Sequence, residues 1–348
     1  MKRVYVLIIN WNGWGDTIEC LESLMRCRGV DLRLIVCDNA STDNSVERLR
    51  AWAEGRFDSR VAPGPLRKFS WPPAGKPLAF AEYDRSQAEA GGDGGGPPLV
   101  LIRTGGNLGF AGGNNVGLRY VLARGDFDAV WLLNNDTVVE PQALKGLLDR
   151  LDEKPAAGMV GSTLLHYDEP ERIQARAGGW YCRWIGLPWH LGRLQSVSDP
   201  PQRERVERWM TYVVGASLLV SRGFLETVGL MCEDYFLYFE ETDWALRGRG
   251  RFELAYAPES RVYHKIGRSI GTSSDPRRKS PTCDYYALRN RLLFTRRFFP
   301  EALPTIYLSV FTALLVRLFL GRWRQAWVAA RLLAGYEPRF APEASVPL

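Results

Sequence analysis

The chain is poor in the residues that build small stapled folds. Its six cysteines, Cys20, Cys27, Cys37, Cys182, Cys232 and Cys283, form no C-x-x-C pair and no repeated spacing. That argues against a zinc site or disulfide framework and for reduced thiols in a cytosolic setting. Neither G-x-G-x-x-G nor a Walker A loop is present, so dinucleotide and P-loop ATP binding are not indicated. Zinc-finger spacing, RNP-like motifs and a basic zipper are also missing, which speaks against nucleic acid. The opening stretch MKRVYVLIIN has a basic start and an apolar run, but NWNGWGD follows at once, without the small-residue cleavage site of a secretory signal. It reads as a first β-strand.

What is present suits a large folded unit. The 348 residues are 46% hydrophobic and 12% aromatic, enough for one large α/β domain or two smaller ones and too apolar for a disordered chain. Strand and helix patterns alternate along the first half: RVYVLIIN, a helix over Thr17–Cys27, LRLIVCDN, a helix over Asn44–Ala53 with Ser41 or Asp43 as its cap, PLVLIRT, a helix over Ala111–Arg124, then AVWLLNND. Such alternation implies a mostly parallel central sheet with right-handed crossovers and helices on both faces. Residues 55–98, rich in Gly, Pro and charge, interrupt it and are expected to be a partly mobile surface insertion. Periodicity fades again between Val160 and Thr211.

Each early strand ends in polar or Gly-rich residues. Asn10 and Asn12 follow the first; Asp38, Asn39, Ser41 and Asp43 the second; Asn107, Gly109, Gly112, Gly113 and Asn114 the third; Asn134, Asn135 and Asp136 the fourth. Ordinary turn and cap chemistry explains any one of these tips. Four in register along the carboxyl edge of an open α/β sheet instead make a continuous polar crevice, where such sheets bind ligands. Backbone N–H groups of Gly105–Asn115, running into a helix, suit a diphosphate. Asp38 suits a base imide or a ribose hydroxyl.

The stretches LIINWNGWGDTIECLESL, IVCDNASTDNS, NLGFAGGNNVGL, LLNNDTVVEP, VVGASLLVSR, VGLMCEDYFLYFEETDWALR and YHKIGRS occur in this order. Together, over about residues 3–297, they resemble the family 2 glycosyltransferases of the rhamnosyltransferase-like branch. The resemblance implies a Rossmann-like GT-A fold, a nucleotide-sugar donor, a divalent cation and inversion at the anomeric carbon. The family's D-x-D stands here as Asn134-Asn135-Asp136, which leaves one carboxylate. In that reading Asp136 is a metal ligand for Mg²⁺ or Mn²⁺ beside the diphosphate leaving group. A lone histidine such as His264 is ordinarily a packed or solvent-facing residue; the resemblance implies that it completes the metal site, and imidazole suits Mn²⁺ better than Mg²⁺. Lys265 and Arg268 would steady the departing phosphates.

Three carboxylates, Glu240, Glu241 and Asp243, begin an apparent helix, where simple capping also places acids. Inverting transfer needs a base for the acceptor hydroxyl. The family has Glu-Asp where this chain has Glu240-Glu241, so the resemblance assigns the base to Glu241, kept ionised by its first-turn position. Asp243 and Arg247, four apart, are expected to pair. Trp180, Trp184 and Trp189 lie among glycines, a composition that suits an acceptor sugar or lipid and equally a satellite apolar cluster.

The last quarter differs in charge. Residues 261–348 hold 15 Lys and Arg against 5 Asp and Glu, in a chain of net charge +6, which points to a polyanionic partner. Thr305–Leu320 is apolar but interrupted by Arg317 and shorter than the ~20 residues of a typical span. With Trp323 and Trp327 following, it reads as a helix lying in the interface of an anionic membrane, with packing on the protein or in a homodimer as the alternative. The expected organisation is a catalytic domain over residues 1–300, with a nucleotide-sugar half (1–136) and an acceptor half (137–300), then a helical membrane-associating segment over 301–348. The expected activity is transfer of L-rhamnose from dTDP-rhamnose to a glycan or lipid-linked acceptor in cell-envelope polysaccharide synthesis, on the cytoplasmic face of the membrane. UDP-galactofuranose or another UDP-hexose is the alternative donor, and a silent sugar-nucleotide-binding scaffold is the alternative class. A nucleotidyltransferase would need an early Gly-rich loop with Arg and Lys, which NWNGWGD lacks.

Overall fold

The computed structural model describes residues 1–57, 63–266 and 280–336. Its elements in order are β1 (Arg3–Asn10), α1 (Trp14–Leu24), β2 (Asp31–Asp38), α2 (Ser45–Ala53), β3 (Phe80–Asp84), α3 (Arg85–Glu89), β4 (Leu99–Arg103), α4 (Gly109–Arg124), β5 (Ala129–Asn134), β6 (Thr137–Val139), α5 (Ala143–Glu153), β7 (Ala157–His166), β8 (Ile173–Arg176), β9 (Gly178–Cys182), β10 (Leu187–His190), α6 (Arg203–Trp209), β11 (Tyr212–Val213), β12 (Ser217–Ser221), α7 (Arg222–Val228), α8 (Glu240–Gly248), β13 (Glu253–His264), α9 (Pro281–Phe298), α10 (Leu303–Phe319) and α11 (Trp323–Leu333). The chain divides into two compact units. Of the described residues, the first holds Met1–Trp180, His190–Glu233 and Glu241–Ile266; the second holds Tyr181–Trp189, Asp234–Glu240 and 280–336.

The first unit is built on a sheet of strand order β3-β4-β2-β1-β5-β12-β7-β13-β6, with β8 paired to β7. Pairs β3/β4, β4/β2, β2/β1, β1/β5 and β7/β13 are parallel, whereas β12 runs antiparallel to both β5 and β7. The five residues Ala129–Leu133 of β5 are all buried, so both faces of this strand are covered, as a continuous apolar run requires. Glycines bring α4 close to the sheet. A Cβ on Gly117 would lie 1.8 Å from Leu7 Cδ2, and one on Gly113 would lie 2.9 Å from the Asn39 amide.

Two sequence expectations change here. The 55–98 insertion is not only a surface loop: Phe80–Asp84 forms the edge strand β3, and Asp84 caps α3 in a capping box with Gln87. Its neighbour Glu22 is fully buried and binds this segment, accepting from Trp52 Nε1 at 2.7 Å, Ala74 N at 2.7 Å and Lys76 Nζ at 3.0 Å. Residues 58–62 lie outside the described residues. The featureless-looking stretch from Val160 is also structured, beginning inside β7, whose residues Ala157–Leu165 are all buried. A strand buried on both faces loses the period-two signal, and its Gly, Ser and Thr residues interrupt the apolar run as well.

Helix starts move too. The first helix begins at Trp14 rather than Thr17, and α4 at Gly109 rather than Ala111. Asn44, at φ 59°, precedes α2 without a side-chain cap, and Asp43 accepts instead from the Ser45 N–H at 3.1 Å and from its hydroxyl.

The second unit has its own apolar cluster of Leu288, Leu292, Ile306, Val310, Val328 and Leu332, drawn from α9, α10 and α11. Inside it, Arg317 of α10 makes a bidentate pair with Asp284 of α9, at 2.8 Å and 2.5 Å. The 3₁₀ turn at Pro300–Ala302 runs into α10, so Pro300–Phe319 is a 20-residue segment whose most apolar 18 residues have mean hydropathy 1.8 and are 22% buried. By length and composition it is sufficient to cross a membrane, longer than the sequence suggested.

Candidate active site

The carboxyl ends of β1, β2 and β5 are tied together by short polar side chains. Asn10 donates to Asp38 Oδ1 at 2.8 Å and to Ser41 Oγ at 3.0 Å, and its own Oδ1 accepts from Thr17 Oγ1 at 2.7 Å. The Asn135 amide reaches the same Thr17 Oγ1 at 3.1 Å. Asp38 closes its own turn, accepting from Ser41 N at 3.0 Å and from Ser41 Oγ at 2.6 Å. Three of its roughly four lone-pair positions are thus used locally, and one on Oδ2 is left for another donor. Asn12, left-handed at φ 51°, fastens the two tips by accepting from Thr42 N at 2.7 Å.

The third tip is organised differently. Asn39 donates to the Gly109 carbonyl at 2.9 Å, and Asn107 Oδ1 accepts from the Gly109 N–H at 3.1 Å. Gly112 and Gly113 are already inside α4, where an added Cβ would lie 2.8 Å from Leu108 Cβ or 2.9 Å from Ile9 Cδ1. Their absent side chains serve close packing. Asn114 turns back to the Phe110 carbonyl at 3.0 Å, while Asn115 pins the Met231–Glu233 segment with hydrogen bonds of 2.8–3.0 Å.

After β5 the chain turns through Asn134-Asn135-Asp136, and His264 at the end of β13 meets it. His264 Nε2 lies 3.1 Å from Asp136 Oδ1 and 3.4 Å from Asn134 Nδ2; its Nδ1 lies 3.0 Å from Gln174 Oε1. The Gln174 carbonyl oxygen suits a ring protonated at Nδ1, and Nε2 faces Asp136, where the two share either a proton or a bound cation. Cis ligands of an octahedral ion at about 2.1 Å lie about 3 Å apart, which the observed pair matches. Among the described residues no third His, Cys, Asp or Glu joins these two. Burial opposes the charge on Asp136, but His264, a backbone hydrogen bond and Lys265 outweigh it and hold the carboxyl below its ordinary range.

Lys265 is spent elsewhere than expected. Its ammonium is buried, paired with Asp16 and with Glu19 Oε2 at 2.6 Å, over the Tyr167 ring at 4.9 Å. It therefore locks the end of β13 to α1, and its charge is already balanced. Arg268 lies outside the described residues.

Glu241 stands on the other side of the Asn134 turn. Asn134 N donates to Ala216 O at 3.1 Å, and the preceding Gly215 backbone hydrogen-bonds the Glu241 carboxyl. A Cβ on Gly215 would come 3.2 Å from Phe110 Cζ, so this glycine lets the start of α4 approach the carboxylate. Burial pushes the Glu241 carboxyl up to about 7, against hydrogen bonds from its own backbone and Gly215, and among the described residues its buried Oε2 has no hydrogen-bond partner. First-turn helix position does not keep it fully ionised; desolvation wins. Asp243 is fully buried and pairs with Arg247 Nε at 2.6 Å, and Arg247 continues to the carbonyls of Val228 and Leu230. Glu240 is buried at the boundary of the second unit.

Trp180 belongs to the first unit, Trp184 and Trp189 to the second, and all three are exposed. Sequence reading missed Thr17, Gln174 and Gly215. Gly215 sits inside the quoted VVGASLLVSR, whereas nothing in IQAR marks Gln174 as the partner of a histidine 90 residues away.

Residues 83–226 match the family described as "Glycosyl transferase family 2". Among similar proteins is a low-salt glycan biosynthesis hexosyltransferase of Haloferax volcanii, 24% identical over 68% of this chain and 69% of that one. Another is an N-acetylglucosaminyl-diphospho-decaprenol L-rhamnosyltransferase of Mycobacterium tuberculosis, 29% identical over 50% of this chain and 61% of its own length. In three dimensions the chain resembles GalNAc-T7 crystallised with UDP, GalNAc and Mn²⁺, with TM-score 0.57 and 14% identity over 88% of this chain and 50% of that one. It also resembles the mannosyltransferase PcManGT of Pyrobaculum calidifontis with GDP-Man and Mn²⁺, with TM-score 0.51 and 14% identity over 97% and 88%. The chain thus spans about three-fifths of the mycobacterial relative and half of GalNAc-T7. The mostly parallel sheet and these likenesses agree: residues 83–226 match the family 2 glycosyltransferases, and the fold is of the GT-A type.

Proposed function

We propose that the protein is an inverting, metal-dependent transferase that moves L-rhamnose from dTDP-rhamnose to a glycan or lipid-linked acceptor in cell-envelope polysaccharide synthesis. The observation that carries the metal and the chemistry is the Asp136–His264 pair at 3.1 Å, with Glu241 across the Asn134 turn. When bound, Mg²⁺ or Mn²⁺ would neutralise charge growing on the diphosphate leaving group. Asp136 and His264 would hold it, with Gln174 fixing the ring tautomer. The Asn10–Asp38–Ser41 turn would receive base and ribose. Glu241, desolvated and with an Oε2 that has no hydrogen-bond partner among the described residues, would take the proton of the acceptor hydroxyl as the hydroxyl oxygen attacks the anomeric carbon and the nucleoside diphosphate leaves.

The rhamnose reading leans on the mycobacterial relative, which is named for L-rhamnose transfer to a diphospho-decaprenol acceptor. A UDP-hexose donor is the second reading, favoured by the hexosyltransferase relative. Attachment to an anionic cytoplasmic leaflet belongs to the same proposal. It is supported by the basic last quarter and by the exposed Leu308, Phe311, Leu315, Phe319, Trp323 and Trp327. A donor-hydrolysis screen over dTDP- and UDP-sugars with Mg²⁺ or Mn²⁺ tests the reading. Turnover of dTDP-rhamnose above all others is expected; turnover of a UDP-hexose alone moves the assignment to the second reading, and no turnover of any donor overturns it.

A further inference from the structure

Just before α8, Phe236 (φ 58°), Tyr238 (φ 69°) and Phe239 (φ 76°) all adopt left-handed backbone conformations. Aromatic residues rarely do so, and strained backbone persists only where its surroundings over-determine it. The determinant lies in the same second unit, on α9. Asn290 is fully buried, and its Nδ2 donates to the carbonyls of Tyr235 at 2.7 Å, Leu237 at 2.7 Å and Tyr238 at 3.2 Å. Two amide hydrogens serve three converging carbonyls. The Asn290 Oδ1 accepts from Arg289 Nη1 at 2.9 Å, and that guanidinium also donates to the Asp234 carbonyl at 2.5 Å. Rings brace the turn from outside: Phe236 stacks on Tyr286 with centroids 4.7 Å apart, and Phe239 packs on Phe294 at 5.2 Å.

The strained turn ends at Phe239, and the next two residues are Glu240 and Glu241. The turn thus leads straight into α8, which begins at Glu240. We propose that Asn290 is a positioning residue for glycosyl transfer, clamping the 235–239 turn so that Glu241 is presented in one orientation. This rests on reading Glu241 as the base. The Asn290 amide is spent on the carbonyls of Tyr235, Leu237 and Tyr238 and on Arg289, so losing it should spare the donor.

The test uses the full chain with Asn290→Ala and with Asn290→Ser, which keeps one donor. Hydrogen exchange of the 235–241 peptide should accelerate in both. A misplacement of this kind should lower kcat about 10²-fold in Asn290→Ala, with a smaller loss in Asn290→Ser. The donor KM and the calorimetric affinity for dTDP with Mn²⁺ should stay at wild-type values. If Asn290→Ala fails to fold, Asn290→Ser decides. Normal kcat despite a fast-exchanging turn, unchanged exchange, or a parallel fall in dTDP affinity would each overturn the positioning role. A wild type that transfers no sugar removes the base assignment and this role with it. A wild type silenced by Glu241→Gln but indifferent to Asn290→Ala sinks this inference alone.

Discussion

On the proposed reading one carboxylate, Asp136, suffices for the metal. Its partner is an imidazole whose Nδ1 lies against Gln174, so Asp136 would bring the charge and Nε2 the second ligand. Asp136→Asn removes the charge and keeps the shape. Turnover is expected to drop by about 10²-fold or more, the scale for losing one key electrostatic stabiliser, with little change in melting temperature. Chelation should abolish wild-type turnover and Mn²⁺ or Mg²⁺ restore it; full activity in excess EDTA contradicts the metal assignment.

At Glu241 function and stability pull apart. Its carboxyl, ordinarily near 4.5, is pushed up to about 7 by burial. Between those values the folded state binds more protons than the unfolded chain, so this residue's contribution to stability falls as pH rises through that window. Glu241→Gln should therefore abolish transfer yet raise the melting temperature relative to wild type more at pH 8 than at pH 5. In the wild type, kcat/KM should climb about tenfold per pH unit below about 7 and level off above it, as a base requires. A flat profile from pH 5 to 8, or a dead Asp243→Asn with an active Glu241→Gln, would reassign the base.

Among the elements, α4 is the least conventional. Five of its sixteen residues are glycine or asparagine in its first half alone, Gly109, Gly112, Gly113, Asn114 and Asn115, which lowers helix propensity. Tertiary contact compensates, because only a bare Cα fits over Leu7 at Gly117. Gly117→Ala gains intrinsic propensity but overpacks, and a net loss of about 1–3 kcal/mol is expected by urea unfolding; a stabilised variant would show that Leu7 can yield. The motif GGNLGFAGGNN reads from sequence as a ligand-side loop. That Gly113, and Gly117 after it, pack on β1 does not show there, since periodicity does not tell which side of a Gly-rich helix is buried. Similarly, β3 was lost inside a Pro- and Gly-rich stretch because five residues with one edge pairing carry little pattern.

At the scale of the whole chain, the second unit decides how the apolar helix α10 behaves. Arg317, read from sequence only as a charge inside an apolar run, is buried against Asp284. Pulling α10 into a bilayer would leave Asp284 buried and unpaired, a loss of about 3–5 kcal/mol for a broken buried pair. Lying in the interface keeps the pair and uses the outward stripe of Leu308, Phe311, Leu315 and Phe319. The full-length protein is expected to sediment with anionic liposomes at low salt and to be released as salt rises. Phe311→Glu with Leu315→Glu should prevent this without lowering the melting temperature. Failure of the wild type to bind such liposomes would assign that stripe to protein contacts.

The sequence by itself determined the strand and helix alternation, the polar strand ends and the single acid after AVWLLNN, because each is a local pattern of apolar period and turn chemistry. Only the tertiary structure decided what those residues meet. Gln174 orients His264 across 90 residues, Lys265 is claimed by Asp16 and Glu19, and desolvation beside Gly215, not the helix start, governs the charge of Glu241. Pairings between distant segments, and the loss of water around a carboxylate, arise from packing, and no window of sequence contains them.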